Sequence, residues 1–173
     1  GKSILELGGN NAIILTQNAN LSIAIPGVVF GAVGTCGQRC TSTRRLIIEE
    51  SIYPKVKDAL QKAYSGLKIG SPLDSNNHMG PLIDIDAVKQ MEAALTAVKE
   101  QGGQVLYGGQ KLEGALSDCY VTPALVEIAH DADIVKHETF APILYLHKYS
   151  GDVEQAIEIQ NSVEQGLSSA IFS

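Results

Sequence analysis

The chain has 173 residues, 45% of them apolar and 18% charged, a globular rather than disordered balance and enough length for one well-cored domain. Its formal charge of −6 excludes a nucleic-acid partner, which needs clustered lysine and arginine; Arg44-Arg45 is the one basic doublet, and Glu49-Glu50 follows it. No apolar run approaches the ~20 residues that span a bilayer, no signal peptide is evident, and three cysteines are too few for a disulfide framework, so a reducing compartment is expected.

Residues 4–7 and 11–15 are short apolar runs separated by Gly8-Gly9, the pattern of strand, tight turn, strand. Asn20 can cap a helix over 21–35, where Leu21, Ile25, Val28, Val29 and Val33 recur at helical spacing and Pro26 falls in the first turns. A glycine-rich loop follows, carrying Cys36 and Cys40, and residues 46–49 then predict a buried strand. Residues 54–67 predict a helix with proline at its first position. Residues 68–82 are rich in turn formers and predict a surface excursion.

Residues 84–101 predict a helix with Ala87, Met91, Ala94, Leu95 and Val98 on one face, stopped by Gly102-Gly103. Strands are expected at 104–107, 121–128 and 143–146, then a helix over 152–165 closed by Gly166, and a last strand at 168–172. Strands alternating with helices make this an α/β fold, one domain with a mostly parallel sheet flanked by helices. There is no internal repeat, low-complexity tract or linker.

Cys40, in Gly37-Gln38-Arg39-Cys40-Thr41, is the candidate nucleophile. Thiolate is the strongest side-chain nucleophile near neutral pH, and flanking glycines let a substrate approach the backbone closely. The alternative is a small buried hydrophobe, which is how Cys36 and Cys119 read. Arg39 could favour the thiolate or bind a substrate anion. Glu6 lies in an apolar strand-like run just before Gly8-Gly9. It is either an ordinary solvated strand-end residue or a desolvated carboxylate suited to general-base work.

Gly31, Gly34 and Gly37 are spaced three apart, which is not the dinucleotide signature. Cys36 with Cys40 could form a disulfide or half a metal site, but no Cys/His pair stands at zinc spacing. His130, Asp131, Asp133, His137 and Glu138 match no metal motif and read as a solvated loop and helix cap. No metal is expected.

Taken together these residues resemble the aldehyde dehydrogenase superfamily over the whole chain. Leu5-Glu6-Leu7-Gly8-Gly9-Asn10 is similar to its glutamate motif, and Gly37-Gln38-Arg39-Cys40-Thr41 to its cysteine motif, 40 − 6 = 34 residues later, as in the family. His137-Glu138-Thr139-Phe140-Ala141-Pro142 resembles its cofactor motif, with Ala141 in place of the usual glycine. Pro123-Ala124 stands where Pro-Thr is common. Segments 67–74, 79–83 and 166–169 also resemble family segments. Arg39 before the cysteine, and the sequences around Gly9-Asn10 and Phe140, are more similar to the antiquitin branch, the α-aminoadipic semialdehyde dehydrogenases of lysine breakdown.

The resemblance implies a catalytic, cysteine-bearing domain over 1–173, with a dinucleotide-binding domain before it and an oligomerisation segment after it, both absent here. It implies Cys40 as nucleophile and Glu6 as the base that activates water. NAD+ or NADP+ would be held by Glu138 and Phe140, with Gly8 giving room beside the cofactor. Arg39 would bind the polar end of an amino-acid semialdehyde. It further implies a homo-tetramer for the full-length protein, a cytoplasmic or mitochondrial location, and a fragment inactive alone. A CoA-acylating semialdehyde dehydrogenase is the rival chemistry; relatives of that kind generally lack the glutamate at the position of Glu6. A non-catalytic structural or scaffold role is the rival from another class.

Overall fold

The computed structural model describes residues 1–173. Six strands form one sheet in the order β3-β4-β5-β2-β1-β6. In chain order they are β1 (Asn11–Leu15), β2 (Thr43–Glu49), β3 (Gln104–Tyr107), β4 (Ala124–Glu127), β5 (Ile143–Tyr149) and β6 (Ser169–Phe172). All neighbours run parallel except β3, which is antiparallel to β4. The four helices are α1 (Leu21–Val33), α2 (Tyr53–Ser65), α3 (Ile85–Glu100) and α4 (Val153–Gln160). None is long and apolar enough to cross a membrane.

Alternate residues of β1 and β2 serve opposite faces, as the pleat requires. Ile13, Leu15, Leu46 and Ile48 join α1, α2 and α3 in the main core, while Ala12, Ile14 and Ile47 pack with Ala156 and Ile159 of α4. A parallel sheet covered on both faces explains why β1 and β2 are nearly continuous apolar runs. The caps are local: Asn20 accepts from the Ser22 N–H at 3.1 Å, and Asp84 from the Ala87 N–H at 2.8 Å. On α3 the buried face is Val88, Met91, Ala94, Leu95 and Val98, so Val88 replaces the expected Ala87.

Several expected boundaries move, each for a physical reason. Residues 4–7 form no strand: no other strand lies beside them, and Ile4 is 90% exposed. The expected strand over 121–128 begins only at Ala124, because Pro123 has no N–H to give a ladder. Residues 68–82 are irregular as expected, yet Met79 and Leu82 are buried and Ile69 bridges to Met79.

The strand expected at 46–49 starts three residues earlier, at Thr43, and draws both arginines of the doublet into the interior. The helix expected over 152–165 ends at Gln160. There the buried Arg45 guanidinium takes the last carbonyls, Nη1 donating to Ile159 O and Nη2 to Gln160 O, both at 3.0 Å. A cation at a helix C-terminus meets both the orphan carbonyls and the negative end of the dipole.

Arg45 is 1% exposed and has no carboxylate partner. Its remaining donors go to Asn10 O, from Nε at 3.0 Å and Nη2 at 2.8 Å. Burial pulls its pKa down to about 10, so it stays charged at neutral pH on carbonyl dipoles alone. His147 on β5, in register with Ile47, is buried with its Nδ1 3.0 Å from Ile128 O and its Nε2 unpartnered.

Arg45→Ala strands three carbonyls in two segments, and we expect a loss of about 3 kcal/mol in unfolding free energy by urea titration; a loss within ~0.5 kcal/mol, the usual range for a neutral surface change, would show the guanidinium to be dispensable. Burial, the largest cause, lowers the His147 pKa from 6.5 to about 4, so the unfolded chain binds its proton first as pH falls. The neutral imidazole therefore contributes stability that is complete above 6.5 and lost as the pH falls to about 4. Of the acid-induced loss across that window, His147→Leu should remove about 3 kcal/mol; parallel curves for variant and parent would refute this.

Candidate active site

Three segments that carry the candidate residues lead into three neighbouring strands. Residues 1–10, with Glu6, precede β1; residues 34–42, with Cys40, precede β2; residues 137–142, with Glu138 and Phe140, precede β5. Because β5, β2 and β1 are adjacent and parallel, the three segments meet at the amino ends of the strands. Ligands of open α/β sheets usually bind at the carboxyl ends, so strand direction alone would point to the opposite edge.

The Cys40 loop begins with a left-handed stretch. After α1 the chain makes a 3-10 turn over Gly34–Gly37, in which Thr35, Cys36 and Gly37 have φ of 52°, 56° and 67°. For the two non-glycine residues this costs roughly 1–2 kcal/mol each. At Gly37 glycine is needed twice over, since a Cβ there would run into the backbone of Ala141 and Pro142. The Ala141 that departs from the family pattern is thus part of the wall against which the cysteine loop packs.

Residues 39–42 form a turn closed by the Ser42 N–H donating to Arg39 O at 2.9 Å. The Arg39 N–H returns a bond to Ser42 Oγ at 3.1 Å. Cys40 occupies the first corner, half-buried, with a free thiol, and its own N–H donates to no protein group. Cys36 is buried and unpaired; burial pushes its thiol up to about 12, which makes it the inert cysteine of the pair.

Two residues that sequence patterns did not single out hold this turn. Asn11 Nδ2 donates to Cys40 O at 2.7 Å and to Ser42 O at 2.8 Å, tying the turn to β1. Arg44 is 2% exposed and donates to Gly37 O from both terminal nitrogens at 3.3 Å, and to Arg39 O at 3.2 Å. Its Nη1 also donates to Thr139 O at 2.5 Å, and its Nη2 stands 3.6 Å from the Glu138 carboxylate, an ion pair rather than a hydrogen bond. The Phe140 ring lies under the guanidinium, 5.2 Å from ring centre to carbon. Burial lowers the Arg44 pKa, and the charge of Glu138 opposes that shift. An asparagine opening an apolar strand and an arginine inside one were the available signals.

Glu138 Oε1 accepts the Gly9 N–H at 3.0 Å. A Cβ at Gly8 would overlap Glu138 Oε2, and one at Gly9 would overlap Cys40 O, so this glycine pair is where the three segments touch most closely. Asn10 Nδ2 donates to Val135 O at 2.8 Å, securing the same junction from below. Glu6 is exposed and makes no hydrogen bond or ion pair. It is tethered three residues from Gly9 rather than fixed.

Arg39 lays its guanidinium 5.3 Å from the Phe30 ring centre, against Gly34, and pairs with no carboxylate. Of the candidates, Cys40, Glu138, Phe140 and Gly8 are brought together, Arg39 lies on the α1 side of the turn, and Glu6 projects into solvent. The site is an open edge rather than a cavity. The Cys40 turn lines neither the hollow of about 730 Å³ between α3 and β3 nor the apolar one of about 490 Å³ beside α1 and α2. No three His, Cys, Asp or Glu side chains converge as metal ligands, and His130 through Glu138 is an irregular loop with a short 3-10 turn at Asp133–Lys136.

Replacing Gly37 by Ala forces an L-residue into the left-handed region and a methyl into the Ala141–Pro142 backbone. We expect at least about 2 kcal/mol of destabilisation, read from the urea midpoint at unchanged slope; a midpoint equal to the parent's would show that this close approach is not required.

Comparison with known proteins places the whole chain. The Aldehyde dehydrogenase family matches residues 1–173. Alpha-aminoadipic semialdehyde dehydrogenase of Mus musculus is 51% identical over 174 residues, covering 100% of this chain and 32% of the mouse protein. Aldehyde dehydrogenase family 7 member A1 of Brassica napus is 47% identical, covering 100% of this chain and 34% of the plant protein. The chain thus spans about a third of the length of these curated relatives. Among solved structures, betaine aldehyde dehydrogenase of Staphylococcus aureus in complex with NAD+ superposes with a TM-score of 0.92 at 26% identity, over 97% of this chain and 34% of that one. A 3,6-anhydro-L-galactose dehydrogenase superposes with the same TM-score, 0.92, at 29% identity, over 97% of this chain and 36% of that one. The family match spans all 173 residues, and the mostly parallel sheet flanked by helices superposes closely on an aldehyde dehydrogenase: the chain belongs to the aldehyde dehydrogenase family.

Proposed function

We propose that the protein carrying this chain oxidises an aldehyde to a carboxylic acid with NAD+ or NADP+ as acceptor, through a thioester on Cys40. The observation that carries this reading is the Cys40 turn: a free, half-exposed thiol whose backbone N–H has no protein acceptor. The thiolate attacks the aldehyde carbonyl and forms a C–S bond, and the Cys40 N–H is free to donate to the developing oxyanion. The nicotinamide supplies the hydride acceptor when bound. Loss of the hydride leaves the acyl group on Cys40 as a thioester. Glu6, exposed and tethered through Gly8-Gly9, takes a proton from water, whose oxygen attacks the thioester and breaks its C–S bond, releasing the acid and the Cys40 thiolate; Glu6 then returns its proton to solvent.

The residues present suit one edge of a dinucleotide site. The Glu138 carboxylate, presented beside Gly9 and lacking a Cβ neighbour at Gly8, would accept hydroxyls of the nicotinamide ribose. Phe140, 40% exposed, would pack at the nicotinamide end. Arg39 has no carboxylate partner within the chain, which supports a role for it in binding a substrate carboxylate. That polar end, together with the name of the mouse relative, favours α-aminoadipic semialdehyde as the aldehyde. The same reading implies a homo-tetramer for the full-length protein, working in the cytoplasm or mitochondria. Transfer of the acyl group to CoA is the rival outcome, and the presence of Glu6 speaks for water.

Incubating the protein as its organism makes it with NAD+ and α-aminoadipic semialdehyde tests this directly. Parent protein should form the acid over many turnovers, and Cys40→Ser none. Glu6→Gln should release about one NADH per site and then stall, with the acyl group caught on Cys40 by mass spectrometry. Steady turnover of Glu6→Gln at the parent rate would remove Glu6 from the mechanism, and acyl-CoA as the product would favour the rival.

A further inference from the structure

Arg44 is too deeply buried to touch a substrate, at 2% exposure, yet it contacts both halves of the site. One guanidinium holds two carbonyls of the cysteine loop, Gly37 O and Arg39 O, and one carbonyl of the facing loop, Thr139 O. It also pairs with Glu138 at 3.6 Å and stacks on Phe140. Glu138 in turn accepts the Gly9 N–H, and Asn11, two residues further, donates to Cys40 O. The contacts close a ring: cysteine turn, Arg44, Glu138, Gly9, Asn11, cysteine turn.

We infer that Arg44 is a positioning residue that locks the Cys40 turn and the Glu138 carboxylate into one relation, so that nucleophile and ribose-binding carboxylate are set together. This rests on the function proposed above. Two independently mobile loops would each have to be ordered when substrate and cofactor arrive; joined through one buried cation, they are ordered when the chain folds. Lysine cannot replace the guanidinium, since an ammonium has three donors on one atom, whereas the Arg44 fork spans carbonyls on two segments while its plane lies on a ring. Asn11 still holds Cys40 O when Arg44 is changed, so the ring is opened without releasing the turn entirely.

The test uses the protein as its organism makes it, in four forms: parent, Arg44→Lys, Glu138→Gln and the double variant. Alkylation of Cys40 by iodoacetamide is followed by peptide mass spectrometry at fixed pH without cofactor, and NAD+ binding by direct titration. Arg44→Lys should change the Cys40 alkylation rate by about fivefold or more and weaken NAD+ binding by a similar factor. Glu138→Gln should change the alkylation rate in the same direction, although Glu138 does not contact the thiol. The double variant should change it no more than the larger single effect, because both substitutions open the same ring.

A mere staple behaves differently: Arg44→Lys would lower the urea midpoint while alkylation and NAD+ affinity of the folded protein stayed at parent values. That result overturns the inference. So does Glu138→Gln with an unchanged alkylation rate, which decides the matter alone if Arg44→Lys does not fold, and so do effects that simply multiply. If the parent binds no NAD+ while the alkylation coupling persists, the proposed function falls and the locking role of Arg44 stands.

Discussion

Two adjacent guanidiniums on a central strand organise this chain. Successive residues of β2 point to opposite faces of the sheet, so Arg44 and Arg45 are buried on opposite sides of one backbone. Taking a charge out of water costs several kcal/mol unless dipoles replace the lost hydration. Both side chains meet that demand with backbone carbonyls. Arg45 takes those of Asn10, Ile159 and Gln160; Arg44 takes those of Gly37, Arg39 and Thr139 and adds Glu138. Each of the three segments that bear candidate residues is therefore fastened to β2 by at least one arginine. The end of α4 is fastened by the same means.

The placement of the site at the amino ends of the strands follows from that arrangement. Neighbouring strands are about 4.8 Å apart, so the segments leading into β5, β2 and β1 lie side by side within a span of about 10 Å. Contact this close is possible only where Cβ atoms are missing. Gly8, Gly9 and Gly37 stand at the three points where a methyl would strike Glu138, Cys40 O or the Ala141–Pro142 backbone. The left-handed turn through Thr35, Cys36 and Gly37 then reverses the chain after α1 and brings Cys40 to a corner with its N–H bonded to no protein group. Strain in that turn is tolerable because its far side is bonded to Arg44 and Asn11.

Much of the fold was legible because its signals are local. The cap at Asn20, the helical periodicity of 54–67 and 84–101, and the apolar runs of β1, β2 and β5 each depend on residues a few positions apart. The failures share a cause. Residues 4–7 have strand composition and no neighbour to pair with, and strand formation is a property of two segments. The end of α4 is set by a guanidinium 114 residues away in the chain. The Arg44-Arg45 doublet, which the sequence shows only as a basic pair, is interior because carbonyls from other segments converge on it, and no pattern within β2 announces them.

What the amino-acid sequence determined by itself was the chemistry on offer: Cys40 in a glycine-flanked loop, Glu6 before a glycine pair 34 residues earlier, and a Glu138–Phe140 pair downstream, carried by an α/β chain. Spacing and residue type suffice for that, because they are properties of short segments. Only the tertiary structure decided which edge of the sheet holds the site, that Glu138 is already engaged by Gly9 and Arg44, and that Asn11 and Arg44 hold the cysteine turn. Apart from the bonds of Arg44 to the nearby Gly37 and Arg39, those are contacts between segments 29 to 129 residues apart. They exist because parallel strand order brings three separate loops to one edge, and a buried charge must find its partners wherever the fold presents them.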